Sequence, residues 1–156
     1  MENFAEQIAE DNTMLDLVPK NKPLFTPQEI VVQSWTSLSM KTHKEKAMVF
    51  NAVSNPDYQL IDYVGQKIPV EHIYAQAEQF TEDETGDVKD GTRVILFDTE
   101  GRSYSCVSEG IRRSLTTLFG TFGTPPYTPA LNVIPALVKS KTDSMRKILK
   151  LNIAAD

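Results

Sequence analysis

The stretch between Thr92 and Phe119 most constrains how this chain can fold. Thr92-Arg-Val-Ile-Leu-Phe-Asp98 and Arg102-Ser-Tyr-Ser-Cys-Val-Ser108 are rich in β-branched and aromatic residues, and Thr99-Glu-Gly101 separates them. Two such runs around a short glycine-containing connection predict a β-hairpin, with Gly101 in the left-handed conformation that side chains disfavour. Immediately afterwards, residues 109–119 change to helical apolar spacing. Residues 131–139 and 145–153 return to strand-like runs, while residues 121–129 hold Gly123 and three prolines and predict irregular chain.

Upstream, residues 46–54 (Lys-Ala-Met-Val-Phe-Asn-Ala-Val-Ser) read as a strand ended by the turn Asn55-Pro-Asp57. Residues 58–64 and 68–80 add extended runs around Gly65-Gln-Lys67. Ile68, Val70, His72 and Tyr74 share one parity there, so a long bent strand opens the sheet. The resulting order predicts a mainly β fold: an OB-like five-stranded barrel with one helix between strands 3 and 4. An N-terminal helical extension precedes it. Phe4, Ile8, Leu15 and Val18 recur at roughly helical intervals, and Thr26-Pro-Gln-Glu29 reads as a capping box before a short helix that runs toward Trp35. Trp35 itself either packs or stacks on a base. The expected domains are an acidic, partly helical extension over residues 1–40 and an OB-like nucleic-acid-binding domain over residues 41–156.

Charge separates these regions. The net charge of −5 argues against a polyanionic partner, but its distribution is uneven. Residues 1–33 carry six acids and two bases, and residues 71–90 carry seven acids and one base. Residues 91–153 carry nine bases and four acids, so a polyanion finds its complement in the second half of the barrel. No apolar run reaches membrane-spanning length and no cleavable leader is evident, which predicts a cytoplasmic protein without a membrane partner.

Catalysis has little to build on. His43 and His72 are the two histidines, Cys106 is the one cysteine, and no phosphate-binding, zinc-binding or nucleophile-elbow motif occurs. Cys106 sits in a strand run, where a thiol serves as a small hydrophobe. The acids Glu82, Asp83, Glu84, Asp87 and Asp90 lack the spacing of a calcium loop and read as solvated charge. The expectation is a non-enzyme with no cofactor and no metal.

Binding an extended single strand requires cations along a groove and faces against which bases lie. On the first hairpin strand Arg93, Ile95 and Phe97 share a face, and on its partner Tyr104 alternates with Ser103 and Ser105. Phe97 and Tyr104 therefore either stand on an exposed sheet face beside Arg93 and Arg102 or pack into the core. In the last strand pair, Lys139, Lys141, Arg146, Lys147 and Lys150 surround the turn Thr142-Asp-Ser144, with Asp143 as the one acid. These cations either contact phosphate or keep a solvated edge from aggregating. Arg112 and Arg113 open the intervening helix.

Val94-Ile-Leu-Phe-Asp-Thr-Glu-Gly-Arg-Ser-Tyr-Ser-Cys-Val-Ser108 with its following helix, the strand pair around Lys139 and Ile148–Leu151, and the upstream Val49-Phe-Asn-Ala52 resemble the single-stranded DNA-binding proteins of tailed phages of Gram-positive bacteria, the protein-primed replication type. The resemblance covers about two-thirds of the chain, from near Lys46 onward. It implies an OB-like barrel that coats and protects single-stranded DNA during replication in the host cytoplasm. It places Tyr104 after the glycine turn and Lys139, Lys141, Arg146 and Lys150 on the basic hairpin. The small basic surface predicts weak binding by one molecule, with cooperative self-contacts or a homo-oligomer on DNA, and the acidic extension either competes with DNA for the basic face or recruits replication proteins. The first 40 residues depart from the pattern. The acidic arm keeps a second reading open: a non-catalytic protein-interaction module, such as a replisome adaptor or virion component.

Overall fold

The computed structural model describes residues 33–81, 85–142 and 145–156, within a compact unit spanning residues 33–156. The expected N-terminal helices and the Thr26 capping box lie outside the described residues, as do Glu82, Asp83, Glu84 and Asp143. Strands β1 (Ser34–Thr36), β2 (Tyr58–Gln59), β3 (Ile68–Thr81), β4 (Val88–Asp98), β5 (Ser103–Val107), β6 (Leu131–Lys139) and β7 (Lys147–Ile153) form one sheet. Helix α1 (His43–Ser54) precedes β2, and helix α2 (Glu109–Phe122) joins β5 to β6. No described helix is long and apolar enough to cross a membrane.

The sheet runs β2-β5-β4-β3-β6-β7, with β1 added to the outer edge of β3, and curls into a barrel-like half-cylinder. It therefore has seven strands rather than five. β3 causes the curl. Val70 pairs with Asp98 and His72 with Phe97, so Glu71 is an extra residue that bends the strand. Before this bulge β3 pairs with β6, and after it with β1. The bulge also breaks the parity expected across Ile68–Tyr74: Ile68, Val70 and Ile73 enter one core, whereas Tyr74 enters the other.

The two cores lie on opposite faces of β4. Val94 and Leu96 pack with Tyr104, Cys106 and the buried α2 residues Ile111, Leu115 and Leu118. Ile95 and Phe97 pack beneath α1 through Val49 and Ala52, with Leu38 alongside. Helix α1 replaces the strand expected over residues 46–54. Thr42 starts it: its Oγ1 accepts the Glu45 N–H at 3.1 Å, and the Glu45 carboxylate accepts the Thr42 N–H at 3.4 Å. Ser39 donates its hydroxyl to the same carboxylate at 2.6 Å, and these bonds hold Glu45 well below the usual carboxylate range. Trp35, expected at the end of a helix, lies in β1 and packs on Phe119 with ring centroids 5.3 Å apart.

Cys106 is buried, and burial pushes its thiol up to about 12. A disulfide-exchange reagent at neutral pH should therefore leave the native thiol unmodified and react with it only on unfolding. Fast stoichiometric labelling of the folded protein would contradict this packing.

Candidate nucleic-acid interface

The β4–β5 turn is organised by Asp98, a buried carboxylate. Its Oδ1 accepts the N–H groups of Glu100 and Arg102, each at 2.9 Å, and Gly101 takes φ +80°. Its Oδ2 accepts from Arg102 Nε and from the Tyr104 hydroxyl, both at 2.9 Å. Arg102 also reaches Glu100 at 2.7 Å, so its charge is committed inside the hairpin. Burial, with the carboxylate beside it, raises the Tyr104 hydroxyl far above the ordinary phenol range.

Tyr104 is only 4% exposed. Its ring meets those of Tyr58 and Tyr63 at centroid distances of 5.1 and 5.0 Å. It supports the wall of a site instead of offering a face for a base. Tyr104→Phe should cost about 1–2 kcal/mol by leaving Asp98 one donor short, with affinity for a single strand unchanged. Lost affinity at unchanged thermal stability would place that hydroxyl on the ligand.

Phe97, at 1% exposed, lies beneath α1 and has no free stacking face. Arg93 is also internally engaged. It forms an ion pair with Glu78 and donates to Ser105 Oγ at 2.8 Å. Its hydrogen bonds hold the Glu78 carboxyl below the usual range, so this pair survives mild acidification. Gln76 and Tyr74 extend the chain along β3, with Gln76 donating to Glu78 at 3.0 Å and Tyr74 to Gln76 at 2.8 Å. Arg93, Phe97 and Tyr104 thus belong to the frame of the curled sheet, while Arg102 is exposed but paired with Asp98 and Glu100.

The remaining candidates come together. β6 and β7 pair from Val133↔Ile153 to Lys139↔Lys147, and their outer end carries Lys139, Lys141, Arg146, Lys147 and Lys150, all exposed. Among the described residues none of the five forms an ion pair. They line an open groove of about 1140 Å³ between this hairpin and the junction of β5 with α2. Arg113 joins them on the opposite wall. Among the described residues Glu109 is the one acid in the lining, and Arg112 pairs with it at 2.6 Å and Arg113 at 3.8 Å. Arg113 was visible in the sequence as a helix-opening arginine, but only the packing of α2 against β7 decides which wall it joins.

That packing is close. A Cβ on Gly110 would stand 2.2 Å from the Leu149 carbonyl oxygen, and Ser114 Oγ accepts the Leu151 N–H at 3.1 Å. α2 therefore lies in the opening between β5 and β7 and fixes the width of the groove. Between the charges lie Ile61, Val107 and Leu137, which the sequence reading passed over because strand patterns assign such residues to a core. Tyr58 and Tyr63, both half-buried, belong to the segment that supplies Gln59 and Ile61 to the groove.

A curled β-sheet with an open groove, cations on both walls and one neutralised acid has the make-up of a surface for an extended polyanion. Residues 27–154 match the family model described as phage single-stranded DNA-binding protein. The chain belongs to this family, of the Phi29 type, and its ligand class is single-stranded DNA. No curated protein and no solved structure matches it.

Proposed function

We propose that the protein coats single-stranded DNA without regard to sequence and protects it during phage replication in the host cytoplasm. The strand lies in the groove between the β6–β7 hairpin and α2. Lys139, Lys141, Arg146, Lys147 and Lys150 contact phosphates from one wall and Arg113 from the other. The observation that carries this reading is the group of five hairpin cations that form no ion pair among the described residues and line one groove. An internally paired arginine such as Arg93 or Arg102 would have to surrender a carboxylate to bind phosphate, whereas these side chains release only counterions. Phe97 and Tyr104 are buried and offer no ring to a base, and Tyr58 and Tyr63 pack against Tyr104.

In this reading β3, β4, β5, β6 and β7 correspond to the five strands of an OB-type barrel, with α2 between the third and fourth. β1 and α1 are additions, and the acidic extension ahead of the domain is shorter than residues 1–40, since Ser34–Thr36 pairs with β3 and Leu38 packs in a core. The cationic surface is short, so each molecule covers few nucleotides and self-contacts along the strand add to affinity. Replication proteins are the expected further partners.

Fluorescence anisotropy with labelled oligo-dT and a duplex of equal length, at low and physiological salt, tests this proposal. Single strands should bind more tightly, and binding should weaken steeply with salt. Equal binding to duplex, or no binding at low salt, would overturn it.

A further inference from the structure

We propose that the groove discriminates thymine from uracil through an aliphatic floor that receives the thymine C5-methyl group. This rests on the reading of the groove as the strand-binding surface, and it assigns what the bases meet there.

Three elements contribute to the floor: Ile61 from the 3-10 turn at Leu60–Tyr63, Val107 from the end of β5, and Leu137 from the last third of β6. They are 48%, 36% and 41% exposed, respectively, although their neighbours Leu60, Cys106 and Pro135 are buried in the barrel. Aliphatic side chains held open to water on three separate elements, and converging in one groove, lack the protein partners that their neighbours have. No aromatic side chain lines the groove among the described residues. A base entering it therefore meets methyl and methylene groups instead of a ring.

The charge on both walls fixes the class of occupant. Arg113, Lys139 and Lys147 flank this floor and suit a ligand with an anionic edge and an apolar body. An apolar peptide leaves those cations without partners, and a simple polyanion leaves the floor wet. A single DNA strand satisfies both. Among pyrimidines, thymine adds one methyl group, and burying it is worth about a fourfold gain in affinity per base held. The stacking strength of adenine and guanine does not enter the thymine–uracil comparison.

The test compares oligo-dT with oligo-dU of the same length, sugar and charge, over a salt series. The full-length protein should bind oligo-dT at least about fourfold more tightly, with parallel salt dependence for the two. Ile61→Ser and Leu137→Ser, both at exposed positions, should bring the ratio toward one and leave the salt slope unchanged. Equal affinity of the unaltered protein for both oligomers, with steep salt dependence, would overturn the methyl-reading floor while leaving the groove as the binding surface. A ratio that persists in both variants would overturn the assignment to these residues. Failure of both oligomers to bind would overturn the functional reading itself.

Discussion

Gly110→Ala should destabilise the protein by about 2 kcal/mol and lower its Tm by roughly 8 °C. The sign is the informative part. Replacing a helical glycine by alanine ordinarily stabilises by up to about 1 kcal/mol, because it restricts the unfolded chain. Here the added Cβ would lie 2.2 Å from the Leu149 carbonyl oxygen and 2.5 Å from Ile148 Cγ2. Ile148 can rotate away, but a backbone carbonyl within the β6–β7 ladder cannot move without carrying β7 with it. Overpacking of this kind costs about 1–3 kcal/mol and exceeds the propensity gain. The same displacement would shift Lys147 and Lys150 relative to Arg113, so single-strand affinity should fall as well. Thermal denaturation checks this: a variant as stable as the parent would mean that α2 does not pack against β7 as described.

The second large effect concerns charge. Replacing Lys139, Arg146 and Lys147 together with alanine should reduce the salt slope of oligo-dT binding by about 2, since each phosphate contact on a single strand contributes about 0.7. At about 0.1 M salt this corresponds to roughly a 100-fold loss of affinity. The control is Lys41, Lys44 and Lys46 replaced by alanine. It removes the same charge from residues at and before the start of α1, which do not line the groove. Similar losses in both triple variants would mean that net charge, not the groove, governs binding. The hairpin lysines are exposed and without ion pairs among the described residues, so their removal should leave thermal stability nearly unchanged.

Much of this architecture was legible in the sequence because its signals are local. The Asp98–Arg102 turn, the helix after Ser108 and the strand pair carrying Lys139 and Lys147 each depend on residues a few positions apart. Their charges and turn glycine needed no distant partner to be interpreted. Helix α1 was missed even though Thr42-His-Lys-Glu45 is a capping box, because Val49 and Phe50 favour strands and the apolar stripe is weak. That one misreading carried further. The shared face of Arg93, Ile95 and Phe97 was read correctly, but α1 covers Ile95 and Phe97 and ion pairing occupies Arg93. Tyr104 was likewise enclosed by Tyr58 and Tyr63, which reach it through pairing of β2 with β5. The bulge at Glu71 left no mark, since alternation through Ile68, Val70, His72 and Tyr74 looks unbroken in the sequence. The basic hairpin needed no such correction, although the groove it borders depends on Gly110 accepting the backbone of β7.

Backbone amide chemical-shift mapping with oligo-dT most directly tests the claim that the strand lies between this hairpin and α2. Stepwise addition of the oligomer should shift amides across residues 137–142, 146–150 and 107–114, while those of α1 stay in place. Shifts concentrated on α1 and the β3–β4 ends, with the groove amides unmoved, would contradict it.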